Sequence, residues 1–165
     1  IGDKRKLMEM AEKNINFYLI QKRKESVNAP RIAPAQRIME TLQKDLGMEK
    51  LPVHIECFDN SNIQGTNPVS SCVVFKNAKP AKNEYRKFNV TPVVGPDDFA
   101  TMVEVVTRRY TRLIEEEKPL PDLIIIDGGK GQLGMATEVL RKLGILDKVT
   151  LIGIAKRLEE IFSFK

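Results

Sequence analysis

PDLIIIDGGKGQL (residues 121–133) joins an apolar run, an aspartate and a glycine-rich turn that leads into a helical pattern. A short apolar run bounded by turn residues is typical of a buried strand. Asp127 therefore lies at the carboxyl end of a strand, where open α/β sheets usually bind their ligands. The turn Gly128–Gly131 predicts a phosphate site made of backbone N–H groups, with Lys130 as a point charge. A tight turn that only requires glycine dihedral angles is the alternative.

A second aspartate, Asp59, closes the apolar run VHIECFD (residues 53–59). Two such carboxylates, if brought together, offer the hard oxygen ligands that Mg²⁺ or Mn²⁺ prefers. An ion held by both would activate water and polarise a phosphodiester. The alternative for each aspartate is a cap on the following loop or helix.

The predicted elements are two leading helices followed by the order β-β-β-α-β-α-β. The strands are predicted at residues 53–59, 69–75, 85–91, 122–127 and 149–155. The helices are predicted at residues 3–25, 35–46 with a stop at Gly47, 132–143, and between Pro96 and Pro119. Residues 1–48 are expected to be leading helices packed on a core formed by residues 49–165, because their apolar stripes need cover.

This order resembles the ribonuclease H-like fold, an α/β fold with a mixed five-stranded sheet flanked by helices. In that fold the strand after the first crossover helix lies beside the first strand. The resemblance therefore implies that Asp59 and Asp127 become neighbours at one sheet edge. Nucleases of this fold place metal-binding carboxylates at these two positions.

Charge and composition narrow the class of protein. The net charge is +5, with the positive excess in residues 1–50 and 76–90, whereas the regions around the two aspartates are acidic. This distribution of charge favours a protein that binds a phosphate-rich polymer next to a metal site. A solvated lysine-rich surface would produce the same distribution. No apolar run approaches the ~20 residues of a membrane span. Cys57 and Cys72 lack metal-ligand spacing and are expected to be buried free thiols in a reducing cytoplasm.

Several other polar residues have competing interpretations. Asp98 follows Pro96-Asp97 at the start of a helix, where an acidic residue is usually a cap. His54 and Glu56 face away from Asp59 by strand alternation and are expected to be structural or surface residues. Arg86 is the favoured further phosphate contact, since it lies on the third strand beside the expected site. The helix arginines are either phosphate contacts or a solvated face: Arg108, Arg109 and Arg112.

A set of short motifs, in matching order and spacing over about residues 3–162, resembles the C-terminal nuclease half of the UvrC family. These incision subunits act in bacterial nucleotide excision repair. The motifs are ECFD (56–59), SNIQG (61–65), EYR (84–86), GPDDF (95–99), RRY (108–110) and PDLIIIDGGKGQL (121–133).

The resemblance implies a metal-dependent endonuclease that cuts damaged double-stranded DNA on the 5-prime side of a lesion, after hand-over by the damage-verifying subunit UvrB. Its catalytic carboxylates fall on Asp59 and Asp127, which would bind Mg²⁺ or Mn²⁺, and a third family aspartate falls on Asp98. A cytoplasmic monomer is expected. The family also uses a downstream histidine and a helix-hairpin-helix module beyond Lys165, so this fragment is expected to hold the metal scaffold yet cut DNA poorly. Asn60 replaces a common aliphatic residue.

Two rival functions stay open at this point. An actin-like ATPase or sugar kinase starts with a similar fold but needs Asp-x-Gly-x-Thr after the first strand, and the chain has Asp59-Asn60-Ser61-Asn62 there. A non-catalytic DNA or protein docking module would use the aspartates as caps. Such a module would keep its affinity without metal and after Asp127→Asn.

Overall fold

The computed structural model describes Met8 and residues 12–21, 33–62, 68–90, 98–155 and 160–163. The chain divides into two compact units, Ile1–Ala33 and Pro34–Lys165. In the first unit, residues 12–21 belong to a helix, α1, which confirms the central part of the predicted helix 3–25. Most of its remaining residues lie outside the described part of the chain. The packing of the leading helices on the sheet stays a prediction.

The second unit begins with helix α2, Pro34–Leu46, in agreement with the predicted helix 35–46. Proline suits the first turn of a helix, because its missing N–H would have no helical partner there. Gly47 ends α2 in the left-handed region at φ 62°. Its N–H donates to Lys44 O at 3.2 Å, and that of Met48 donates to Gln43 O at 2.9 Å. Gly47 is therefore the helix stop that the sequence predicts.

The described residues contain a seven-stranded sheet and two further α-helices. The strands are β1 (His54–Asn62), β2 (Pro68–Lys76), β3 (Lys79–Pro80), β4 (Arg86–Asn89), β5 (Leu123–Asp127), β6 (Thr150–Ala155) and β7 (Glu160–Ser163). The helices are α3 (Asp98–Glu115) and α4 (Lys130–Lys142). The helices described in this part of the chain are too short or too polar to cross a membrane.

The sheet has the order β3-β2-β1-β5-β6-β7, and β4 also pairs with β2. β1 is antiparallel to β2 and parallel to β5, and β5 is parallel to β6. This connectivity confirms the predicted ribonuclease H-like α/β fold, with β1 central. Two short antiparallel strands extend the five predicted ones, since β3 arises inside the basic loop 76–83 and β7 pairs with β6.

Helices α3 and α4 cover one face of the sheet. Phe58, Cys72 and Ile126 are cross-strand partners on that face, and all three are fully buried. The Phe58 ring packs at a tilt against Tyr110 of α3, with centroids 6.0 Å apart. The helices contribute further fully buried side chains: Met102, Val105, Val106, Leu133, Ala136 and Leu140. Burial of these apolar groups is the main stabilising term for the fold.

The opposite face of the sheet is less completely buried. Cys57, Val73 and Ile125 are cross-strand partners there and are half-buried. The expectation of two buried thiols is therefore confirmed for Cys72 and wrong for Cys57. The difference follows from strand alternation, which places the two cysteines on opposite faces.

Candidate active site

Asp59 and Asp127 are directly opposite each other in the parallel ladder between β1 and β5. Neighbouring strands are about 4.8 Å apart, so the two residues start from adjacent backbone positions. Both side chains are half-buried on the face away from α3 and α4. The fold therefore brings together the two carboxylates that are far apart in sequence. Half-burial leaves them accessible to a ligand while rigid strands hold their backbones.

Asp59 does not end its strand, contrary to the sequence expectation. β1 continues to Asn62, because the antiparallel ladder with β2 extends as far as the pair of Asn62 and Pro68. By contrast, β5, the parallel neighbour of β1, ends at the position opposite Asp59, because Asp127 is the last residue of β5. Asp59 thus lies inside its strand, which continues with β2 and β4 beyond the end of β5, whereas Asp127 lies at the carboxyl end of its strand.

The row of residues through these carboxylates continues across the sheet. Asp59 is opposite Ser71 of β2, and Ser71 is opposite Lys87 of β4. Cross-strand partners share a sheet face, so Asp127, Asp59, Ser71 and Lys87 lie on one face. Burial agrees with this assignment, because Lys87 is exposed whereas its neighbour Phe88 is buried on the helix side.

The glycine-rich turn connects β5 to α4 beside Asp127. The N–H of Gly128 donates to Ile154 O of β6 at 3.0 Å, and Gly129 is the N-cap without a side-chain cap. Lys130 is the first residue of α4, and its ammonium lies 4.9 Å from the centroid of the Phe162 ring. Such a cation–π contact restrains a long flexible side chain. Lys130 thus follows Asp127 by three positions, with its ammonium held over Phe162, and a phosphate contact by Lys130 stays a prediction.

Asp98, the third candidate, is the first residue of α3, but its side chain lies outside the described part of the structure. The start of α3 is close to the glycine-rich turn, because a Cβ placed on Gly131 would be 2.4 Å from Cε1 of Phe99. Phe99 follows Asp98 directly, so the backbone of Asp98 is near this turn as well. Its roles as a helix cap and as a catalytic residue both stay predictions.

The donor set beside Asp127 includes a neutral oxygen that sequence reasoning did not select. Oε1 of Gln132 is buried and has no hydrogen-bond partner in the described part of the chain. It faces the turn, since a Cβ on Gly128 would lie 1.8 Å from it. Two carboxylates with a nearby unsatisfied carbonyl oxygen fit a hard divalent cation. The described residues contain no cluster of three or more His, Cys, Asp or Glu side chains that could hold a metal by themselves.

A family model of known proteins matches most of this chain. Residues 43–164 match the family model described as the UvrC RNAse H endonuclease domain.

The chain belongs to this family.

Its relatives include the UvrABC system protein C of Porphyromonas gingivalis, which is 58% identical over 98% of this chain. The same protein of Flavobacterium johnsoniae is 56% identical over 98% of the chain. Both alignments cover 27% of the relative, so the chain spans about a quarter of the length of these proteins. Among solved structures, an endonuclease V variant of Ciona intestinalis bound to a 23mer DNA has a TM-score of 0.44 and 19% identity. That likeness covers 76% of this chain and 59% of the other.

A buried ionic cluster lies on the helix-facing side of this UvrC-family domain. Glu56 of β1 is fully buried and pairs with Arg109 of α3 through both carboxylate oxygens. Tyr110 and Cys72 also donate to Glu56 Oε2, at 3.1 and 3.7 Å. His54 Nε2 lies 3.4 Å from Oε1, without hydrogen-bond geometry. The cluster connects the first strand to the long helix.

The cluster shifts the pKa values of its members in a consistent way. Burial by itself would raise the pKa of Glu56, but the proximity of His54 and Arg109 outweighs it and lowers that pKa from 4.5 to about 2. Burial and the Glu56 charge raise the pKa of Tyr110 well above 10. Burial also raises the pKa of the Cys72 thiol. Glu56 is therefore a structural anion that stays ionised at neutral pH, as expected of a structural residue and not of a surface one.

The arginines proposed from the sequence are mostly engaged elsewhere. Arg109 is committed to Glu56, and Arg108 lies 5.8 Å from the centroid of the Phe88 ring. Arg112 pairs with Glu116 one turn along the helix. Arg86 is opposite Cys72, so it lies on the helix side of the sheet and not on the face of the carboxylates. Its guanidinium donates to Asn83 O and Tyr85 O. A phosphate contact by Arg86 stays a prediction.

Proposed function

We propose that this chain is the domain that hydrolyses a DNA phosphodiester during nucleotide excision repair, in a reaction that depends on Mg²⁺ or Mn²⁺. Membership of the UvrC endonuclease family supports the reaction class. The observation that carries the metal dependence is the direct pairing of Asp59 with Asp127 across β1 and β5. Two carboxylates fixed at adjacent backbone positions favour a bound cation, which would offset their mutual repulsion.

Each residue of the site has a defined part in this proposal. Asp59 and Asp127 would hold the metal ion, which when bound supplies an activated water and a counter-charge for the phosphate. The Gln132 oxygen, which is buried beside the turn, would accept a hydrogen bond in the occupied site. Lys130 and the backbone N–H groups at the start of α4 would hold a phosphate of the substrate. Asp98 is a further catalytic candidate.

The biological setting is part of the same proposal. The substrate would be damaged double-stranded DNA, cut on the 5-prime side of the lesion after hand-over by UvrB. The domain would act as a monomer in the bacterial cytoplasm. The positive excess in residues 1–50 and 76–90 suits a DNA partner, whose affinity depends largely on phosphate contacts.

Anomalous diffraction from crystals soaked in Mn²⁺ tests the metal site directly. We expect one or more anomalous peaks beside Asp59 and Asp127, absent after Asp59→Asn and after Asp127→Asn. Asp147→Asn is a suitable control, because Asp147 is an exposed aspartate at the opposite end of the strands. That variant should retain the peak.

A soaked crystal of the wild-type chain without a peak at these aspartates would contradict the proposed metal site. DNA affinity that is unaffected by metal and by Asp127→Asn would then favour the docking module. Cleavage assays on a chain extended beyond Lys165 complete the test, and both aspartate variants should lower the rate by at least about 100-fold there.

A further inference from the structure

The face of the sheet that carries the two aspartates also carries one exposed lysine in the same row. Lys87 of β4 is opposite Ser71 of β2, which is opposite Asp59 of β1. Two strand spacings put the Lys87 backbone about 10 Å from that of Asp59. The neighbouring Arg86 points to the other face, where it lines a cavity with His54, Lys76 and Arg109.

We propose that Lys87 contacts a DNA backbone phosphate a few nucleotides from the one that is cut, so that the cut strand runs across the sheet from β5 towards β4. This inference rests on the proposed function and adds a path for the substrate. A lysine extends several ångströms from its backbone and acts as a point charge for phosphate. Because backbone charges recur every ~3.4 Å of helix axis on one strand, a 10 Å separation is within about three nucleotides.

The polar character of this part of the sheet supports such a path. The row Asp127, Asp59, Ser71 and Lys87 is polar throughout, and exposed Asn89 lies two positions beyond Lys87 on the same face. Towards the other end of the strands the same face becomes apolar, with Cys57, Val73 and Phe75. A polyanion would therefore find most of its polar contacts at this end of the face.

Fluorescence anisotropy with a short labelled DNA duplex, repeated over a series of salt concentrations, tests the inference. A constant concentration of Ca²⁺, a hard cation that prefers oxygen ligands, occupies the carboxylate site. Each lost phosphate contact reduces the slope of log affinity against log salt by about 0.9. We expect Lys87→Ala to show this reduction and to weaken binding by about fivefold at low salt. Lys87→Arg should retain the wild-type slope.

The matched control is Lys142→Ala, which removes the same charge from the last turn of α4. Lys142 is exposed and lies about 18 Å along α4 from the glycine-rich turn. For Lys142→Ala, the slope of log affinity against log salt should equal that of the wild type. The inference would be overturned if the slope of log affinity against log salt were the same for Lys87→Ala and Lys142→Ala. It would also be overturned if Arg86→Ala reduced this slope and Lys87→Ala did not. A wild-type chain without salt-dependent DNA affinity would contradict the proposed function as well.

Discussion

Glu56 and Asp59 lie three positions apart on β1, and the sheet gives their carboxylates opposite environments. Glu56 faces the helices, where Arg109, Tyr110 and Cys72 surround it. Asp59 faces the other side, half-buried beside Asp127. The odd spacing on a strand causes this separation, because successive side chains alternate between faces. One carboxylate thus stabilises the fold, and the other is accessible to a ligand.

Replacing Glu56 with glutamine should destabilise the domain strongly. Glu56→Gln leaves the Arg109 guanidinium buried without its counter-charge, and we expect the free energy of unfolding to fall by about 3 kcal/mol at pH 7. Urea denaturation measures this change. Glu138→Gln is the control, because its ion pair with Arg141 is exposed and should contribute less than about 1 kcal/mol. Similar losses in both variants would contradict a structural role for the buried pair.

The same pair predicts a pH dependence with a definite sign. Since folding lowers the pKa of Glu56 from 4.5 to about 2, the folded state favours the ionised carboxylate. The resulting stabilisation is complete above pH 4.5 and is lost as the pH falls towards 2. The difference in stability between the wild type and Glu56→Gln should therefore shrink over this range, as measured by denaturation at a series of pH values. A constant difference would show that the carboxylate charge is not responsible.

At the scale of elements, the five predicted strands agree with the sequence prediction, whereas two short strands, β3 and β7, are not predicted from the sequence. The three strands of the parallel ladder, β1, β5 and β6, lie close to their expected bounds, and so do the helices α2, α3 and α4. β3 and β7, of two and four residues, carry too little pattern to be distinguished from loops. β3 exists because the turn Asn77-Ala78 folds the chain back onto β2.

This turn offers a test at the element scale. Asn77 and Ala78 have φ of 53° and 58°, as in the tight hairpin turns that favour glycine at the second position. Alanine is strained in this region by about 1 kcal/mol, so Ala78→Gly should raise the free energy of unfolding by about 0.5 kcal/mol after the entropic cost of glycine. Ala81→Gly is the control and should lower the free energy of unfolding. Ala81 has φ −97°, where alanine is not strained, so only the entropic cost of glycine remains. Chemical denaturation compares the two. A loss of stability in Ala78→Gly would contradict the predicted strain.

At the scale of the whole molecule, metal binding and folding should be coupled. Asp59 and Asp127 are adjacent only in the folded sheet, so a cation that both would hold should bind the native state and not the unfolded chain. Mn²⁺ at about ten times its dissociation constant should raise the free energy of unfolding by about 1.4 kcal/mol. Asp59→Asn and Asp127→Asn should abolish this increment in thermal or chemical unfolding experiments.

The metal-free forms of the two variants provide the internal control. They should be at least as stable as the metal-free wild type, because each substitution removes one of two adjacent like charges. Mn²⁺ stabilisation that persists in both variants would place the metal elsewhere.

The sequence by itself determined where most of the strands and helices lie and that two of the strands carry aspartates near one end. These features depend on local periodicity, turn residues and caps, which act over a few neighbours. Tertiary structure alone decided that Asp59 is in register with Asp127, that Lys87 and not Arg86 shares their face, and that Arg109 is buried against Glu56. Each of these depends on pairing between segments distant in sequence, and a shift of one residue in a strand would reverse the face of every side chain.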